Sequence, residues 1–350
     1  MLPLWTSAGF DETTGQFVEA LDADGRPLAL PRRALVQARQ MVVCCAGGRL
    51  GWRGPWAERV AAAGGALLSR GRNKDGDWIY SFDGAGAPAD SRSDLYTQAF
   101  VILGFAEAAR ALGRSDFLAA AIATREQLQR AWRDPGGGYR EGEISPHTGR
   151  QNPHMHLLEA FLALHATTRA ADDLAAATAV AELFMQTLLA SGDRVLEEFD
   201  ARWRPIEASG AAPGHQFEWA WLLERLRLAG GGDRSATARA LAGFGERFGV
   251  DAAGFAIDAI GLDGSALSFT ARLWPQAERL KAALAGLGPE PLRAAGEARR
   301  ALAAYLDVPV AGAWRDLRRP DGRFEPGPAP ASSGYHLVSA LEAFLQPARE

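Results

Sequence analysis

Lysine is nearly missing from this chain. Of 350 residues only Lys74 and Lys281 are lysines, and every other basic side chain apart from histidine is arginine. Neither lysine stands in a GxxxxGK[ST] context, which excludes a phosphate loop of that type, and neither has the local setting of a Schiff-base amine. Cysteine is equally scarce, as the adjacent pair Cys44 and Cys45. Neighbouring cysteines bond to each other only with strain, so both are read as reduced core residues. No apolar run approaches the roughly 18 residues of a membrane span, and the N-terminus MLPLWTSAGF lacks the basic and long apolar regions of a secretory signal. These absences predict a cytoplasmic protein that does not enter a membrane. A formal net charge of −4 leaves no basic field for a nucleic-acid backbone.

What is present is ordinary for a globular protein: 47% hydrophobic and 23% charged residues. The length allows two or three domains or one large one. Apolar residues recur at helical spacing in eleven segments: 33–46, 55–69, 93–110, 114–132, 152–168, 172–190, 214–229, 234–248, 271–284, 292–305 and 333–345. Period-2 alternation is short and rare. Between helix pairs a glycine-and-aromatic element returns, at Gly15–Phe17, Gly76–Trp78, Gly137–Tyr139, Val195–Trp203, Gly254–Phe255 and Gly322–Phe324. The repeat is about 60 residues, one helix pair plus a hairpin-like link, which is the signature of stacked supersecondary units. Six pairs can close into an all-α (α/α)6 toroid around a central cleft, or run on as an open solenoid. The ring is favoured because the polar motifs below come from distant units and need to converge. On this reading residues 1–350 form a single barrel domain. Eleven helices leave one place empty, so the first outer helix is expected to be absent or to lie before Met1.

Four polar patterns stand out. In 150–159, Asn152 is placed as a helix cap with Pro153 in the first turn, and His156 lies four residues on, on the same face. In 213–222, His215, Glu218, Trp221 and Leu222 are read as one stripe, with Glu218 beside His215 to fix its tautomer and Trp221 to stack on a sugar. In 272–278, Trp274 and Glu278 are four apart at a helix start. In 330–337, Ser332 or Ser333 is the expected cap and His336 falls in the first turn, where the helix dipole favours the neutral base. Ser93 is the expected cap of the third helix. Arg39 and Tyr96 sit on helices assigned to the inner layer, and a buried arginine needs either a partner or an open cleft. HxxE can supply two metal ligands, but no HExxH or CxxC accompanies it.

At these residues the sequence resembles the N-acylglucosamine 2-epimerase superfamily, which includes cellobiose 2-epimerases and mannose isomerases. The matching pieces are VQAR at 36–39, DLYTQAF at 94–100, NPHMHLLEA at 152–160, PGHQFEWAWLL at 213–223, RLWPQAERLKA at 272–282 and PASSGYHL at 330–337. The resemblance implies an (α/α)6 barrel with no metal and no organic cofactor. It implies His215 and His336 as acid/base groups, and Arg39 near the sugar oxygens. Glu218 is placed with these as catalytic. Tyr96, Asn152, His156, Trp221, Trp274 and Glu278 are placed as substrate-binding, with His156 tied to ring opening. The last motif resembles the bacterial mannose and mannose-6-phosphate isomerase branch. The expected partner is a small-molecule sugar, and the expected assembly a monomer or homodimer. The expected reaction is aldose–ketose isomerisation between a mannose-type sugar and fructose, with 2-epimerisation as the alternative. A glycoside hydrolase using Glu218 and Glu278, and a non-catalytic toroid, are the more distant alternatives. Arg150 and Arg272 are the candidates for holding a sugar phosphate.

Overall fold

The structure, a computed structural model, describes residues 1–144, 149–190 and 194–345. Helices follow one another through links of very short strands: α1 (Leu2–Trp5), α2 (Ala34–Arg49), α3 (Trp56–Arg70), α4 (Leu95–Leu112), α5 (Ser115–Ala131), α6 (Gln151–Thr168), α7 (Ala171–Leu183), α8 (Pro213–Leu228), α9 (Ser235–Phe248), α10 (Leu273–Leu284), α11 (Pro291–Leu306) and α12 (Ala331–Leu345). The helix expected over 172–190 ends earlier: α7 stops at Leu183 and passes through a π-turn, Phe184–Leu188.

α2, α4, α6, α8, α10 and α12 each pack on the next, and α12 returns to α2, so six helices close a ring. α3, α5, α7, α9 and α11 pack outside the inner helix that each follows. The burial pattern follows the layers. α2 and α4 are buried on nearly every face, as a helix with neighbours all round must be. α3 and α5 bury one stripe and leave the other in water. Cys44 and Cys45 lie in the fully packed stretch of α2, unbonded and buried. Burial pushes the Cys45 thiol up to about 12, so it stays protonated and inert.

The links set the direction of the inner helices. Neighbouring units are stitched by antiparallel bridges at Arg33↔Ser81, Asp94↔Gly142, Arg150↔Glu198, Ala211↔Ile260, Arg272↔Leu317 and Pro330↔Ala20. One member of each bridge stands one or two residues before an inner helix. All six inner helices therefore begin at the same mouth of the barrel, inside a crown of paired backbone.

Glutamines tie four of the link segments to their inner helices. Gln37 accepts from the Phe17 N–H at 2.7 Å and donates to the Phe17 carbonyl at 2.9 Å. Gln98 makes the same pair with Trp78, Gln216 with Val195 and Gln276 with Ala256. In α6 the place is taken by His154, whose Nε2 accepts from the Tyr139 N–H at 3.0 Å. A buried backbone group needs a partner, and one side-chain amide supplies both a donor and an acceptor. A second turn in four of the links needs a left-handed residue. Gly25, Gly86 and Gly264 fill it in three units, while Trp203 adopts φ 59° in the fourth. Trp203 is held there by edge-on packing against His154, ring centroids 5.1 Å apart.

The expected gap in the outer layer is present among the described residues. No outer helix follows α12 among the described residues, and the four-residue α1 stands against α2. Trp5 stacks on Trp314 at 4.9 Å, and the Trp314 ring lies 3.2 Å from where a Gly334 Cβ would sit on α12. Beyond this cover, Leu341, Phe344 and Leu345 of α12 remain exposed.

The helix starts differ from the expected caps. Asp94, not Ser93, caps α4, accepting from the Thr97 N–H at 2.8 Å. α6 begins at Gln151 and α12 at Ala331, so Asn152, Ser332 and Ser333 lie inside the first turn. Ser333 donates instead to Asp316 at 2.8 Å. The bridge residue in front of each inner helix is fixed by the crown, which overrides local capping preference.

If the glutamine latches hold the crown, Gln98→Leu leaves the Trp78 N–H and carbonyl unpaired in the core. At about 1–3 kcal/mol for each orphaned group, a loss of roughly 2–4 kcal/mol is expected in urea unfolding. Leu292→Ala, at a side chain 91% exposed on α11, should change nothing measurable. Equal midpoints for wild type and Gln98→Leu would contradict the latch.

Candidate active site

The crown places the start of every inner helix around one cleft, and the polar residues occupy the first two turns of each. Arg39 comes from α2, Tyr96 from α4, Asn152 and His156 from α6, His215 and Glu218 from α8, Trp274 and Glu278 from α10, and His336 from α12. Tyr96, Asn152 and Trp274 are half-buried at the rim. Arg39, His156, Glu218 and Glu278 lie below them. His215 and His336 keep 11% and 7% of their side chains exposed, enough for one ring edge each. Trp274 stands between these two imidazoles, its ring 4.7 Å from His215 and 5.6 Å from His336.

Each of these histidines is oriented by a carboxylate. His215 Nδ1 lies 2.8 Å from Glu197 Oε2, a residue of the link before α8. Burial alone would raise the Glu197 carboxyl, but the His215 ring, the Ala212 N–H and the Gln151 amide outweigh it and hold Glu197 below the ordinary range. Gln151 is fixed in turn by the Trp219 indole N–H at 2.7 Å. His336 Nδ1 lies 2.7 Å from Glu278 Oε1. Burial, helped by the positive charges of Arg39 and Lys281, holds His336 well below the usual imidazole range, so it is neutral. An ionised carboxylate at Nδ1 keeps the proton on that nitrogen and leaves the Nε2 lone pair free to accept a proton.

The floor is a buried cluster of charges. Lys281 Nζ is 2.6 Å from Glu278 Oε2, and neither side chain reaches solvent. Glu159 accepts from Tyr335 and pairs with His156 Nδ1 at 3.0 Å. Burial pulls Glu159 upward, yet the His156 hydrogen bond and the charges around it hold it low. Glu218 has no hydrogen-bond partner on either oxygen. Burial, and then the neighbouring Glu278 charge, push it well above the carboxylate range, so it carries a proton. His156, at 1% exposure, is driven down to about 4 by burial and is neutral. The ligand-type atoms of His156, Glu159 and Glu218, and those of Glu218, Glu278 and His336, form two groups each within 4.8 Å. The chain's own cation in this floor is Lys281.

Arg39 has no carboxylate partner among the described residues. Its Nη2 donates to the Tyr96 hydroxyl at 2.6 Å and its Nη1 to the Ser332 carbonyl at 3.1 Å. The guanidinium carbon lies over the Phe100 ring, 4.0 Å from its centroid. A cation held this way at 5% exposure keeps an unneutralised charge for an anion formed in the cleft.

Three placements differ from the sequence reading. Glu218 does not orient His215; Glu197 does, because position i+3 on α8 sits one turn deeper and faces the floor. Trp221 is not on the His215 stripe, since six residues are about 1.7 turns and rotate it away from His215. Its ring instead meets Lys281 Nζ at 4.1 Å in a cavity of about 660 Å³ at the opposite mouth. Asn152 is no cap; its Oδ1 is buried without a partner. The two proposed phosphate anchors both have carboxylates: Arg150 is held by Glu141 at 2.8 Å and Arg272 by Asp258 at 2.9 Å, although Arg272 stays 43% exposed above Trp274. Glu197, Gln151, Glu159, Tyr335 and Lys281 were not anticipated.

Comparison with known proteins agrees with this fold. The family model described as N-acylglucosamine 2-epimerase (GlcNAc 2-epimerase) matches residues 15–340. The chain is 39% identical, over 366 residues, to a mannose-6-phosphate isomerase of Rhizobium meliloti (strain 1021), covering 97% of this chain and 92% of that one. A crystal structure of a D-mannose isomerase superposes with a TM-score of 0.91 at 20% identity, covering 99% and 95% of the two chains. Cellobiose 2-epimerase from Bacillus thermoamylovorans B4167 superposes with a TM-score of 0.87 at 18% identity, covering 97% and 96%. The chain belongs to the N-acylglucosamine 2-epimerase family. It is an enzyme of the sugar isomerase and epimerase class.

His154, like His156, is fully buried and driven down to about 4. Both folded values lie below the unfolded one near 6.5, so the unfolded chain takes up protons first as the pH falls. Their stability is complete above pH 6.5 and is lost on descending toward pH 4, on the order of 3 kcal/mol for each. Imidazole NMR at pH 5.5, assigned through His154→Gln and His156→Gln, should show both rings neutral. Both rings protonated at that pH would contradict the burial.

Proposed function

We propose that this enzyme is an aldose–ketose isomerase that interconverts a mannose-type sugar, free or as its 6-phosphate, and fructose. The observation that carries the reading is the pair of carboxylate-oriented imidazoles on either side of Trp274, with the unneutralised Arg39 in the same cleft. Removing the C2 proton beside a sugar carbonyl needs a base with a free lone pair and a stabiliser for the oxyanion that forms. One imidazole Nε2 takes the C2 proton and returns it to C1 of the enediol. The second imidazole exchanges protons with the sugar oxygens, and Glu218 stays protonated in the floor beneath it. Arg39 faces the developing negative charge, aided by six helix N-termini around the cleft. Trp274 and Tyr96 offer flat surfaces to the sugar ring. The similarity to a protein named mannose-6-phosphate isomerase supports the choice of sugar.

Epimerisation at C2 is the second reading, because two imidazoles flanking one ring give bases on two faces. Hydrolysis by Glu218 and Glu278 is not supported. Glu278 is committed to Lys281 and His336, and both carboxyls are buried in the floor.

Incubation with mannose, mannose 6-phosphate and fructose, followed by sugar analysis, should yield ketose from at least one aldose. Glucose from mannose without fructose would replace the isomerase by the epimerase. His215→Asn and His336→Asn should each lower kcat roughly 10²- to 10⁴-fold. Arg39→Lys should lower it about 10²- to 10³-fold. A folded histidine variant with full ketose formation would remove that histidine from the mechanism.

A further inference from the structure

One of only two lysines in the chain is spent on the floor of the barrel, where burying an ammonium is most costly. Lys281 is fully buried on α10, one turn after Glu278. The groups around it, besides Glu278, are Glu218 and Trp221 from α8, Glu159 from α6 and His336 from α12. Glu159 is already satisfied by His156 and Tyr335, and Glu218 carries a proton. Glu278 alone links Lys281 to a residue of the cleft: Oε2 meets Nζ at 2.6 Å and Oε1 meets His336 Nδ1 at 2.7 Å.

We propose that Lys281 is a positioning residue for the isomerisation: its ammonium keeps Glu278 ionised, and through Glu278 it holds His336 as the Nδ1–H tautomer with Nε2 open to the cleft. This rests on the isomerase reading for its consequence in catalysis, but its structural core does not. Without Lys281, Glu278 would stand beside Glu218 and Glu159 with no cation against it, and burial would protonate it. A protonated Glu278 donates its O–H to Nδ1. The ring proton then moves to Nε2, and the nitrogen facing the cleft loses the lone pair that accepts the sugar proton. The burial of Glu278 already pushes it upward against the pull of Lys281. Burial opposes the ammonium too, but the carboxylates beside it, Glu278 first, outweigh it and keep Lys281 charged.

The test is Lys281→Met, which keeps the stem and removes the charge. Expected are a loss in kcat of roughly 10- to 100-fold at pH 7, smaller than the about 10⁴-fold seen when an orienting carboxylate itself is lost from a triad. KM should stay within about threefold, since no sugar contact is removed. The acidic limb of the kcat profile should move to higher pH. Imidazole nitrogen NMR, assigned with His336→Asn, should show Nδ1–H in the wild type and Nε2–H in Lys281→Met, while Lys281→Arg keeps the wild-type form. Folding of the single variant is not required. The double variant Lys281→Met/Glu278→Gln removes the buried pair together, and its kcat should equal that of Glu278→Gln alone. Wild-type His336 as Nε2–H, an unshifted profile in folded Lys281→Met, or a double variant less active than Glu278→Gln would each overturn the proposal. Absence of ketose from the wild type would count against the isomerase reading only, because the tautomer measurement needs no turnover.

Discussion

Closure of the inner ring is the constraint on which everything else rests. α12 must return to α2 across the whole length of the chain, and the seam is held by Arg39 to the Ser332 carbonyl and Gln40 to the Ala331 carbonyl. At the other end of the same two helices Arg49 grips Glu342 with two hydrogen bonds. Once the ring is closed, the backbone crown forces six helix N-termini to one mouth. Residues that share no local sequence then become neighbours, and a cleft exists that no single unit could form.

Closure also takes the floor of that cleft out of water, and the individual partners then decide each charge. Glu197, Glu159, Glu278 and Glu218 are chemically alike, yet they divide according to the donors around them. Glu197 and Glu159 are ringed by N–H and O–H groups and stay ionised. Glu278 has one imidazole and one ammonium. Glu218 has no hydrogen-bond partner and takes a proton. The same burial keeps His156 and His336 neutral, the form in which an imidazole accepts a proton. Proton-bearing and proton-accepting groups are thus separated within a few ångströms.

Much of this was legible in the amino-acid order. Amphipathic spacing located all eleven long helices, and the glycine-aromatic links exposed the unit of about 60 residues. Convergence of polar motifs pointed to a ring, and the shortfall of one outer helix matches the lone α1. The parts that were not legible are long-range. Asn152 and Ser333 look like caps locally, but the crown fixes the residue before each helix. Glu197 and Gln151 sit in a link and on another helix, so no spacing rule connects them to His215. Lys281 reads as an ordinary helical lysine until the ring turns it inward. The latches were within reach: Gln37, Gln98, Gln216 and Gln276 recur at the same distance, 20 or 21 residues, after their link partners.

The central claim is that one cleft base moves a proton between neighbouring sugar carbons. The most direct measurement is turnover of mannose, or its 6-phosphate, in deuterium oxide with the products read by NMR. The account predicts fructose, or its 6-phosphate, carrying solvent deuterium at C1. Deuterium only at C2 of an epimeric aldose, with no ketose formed, would contradict it.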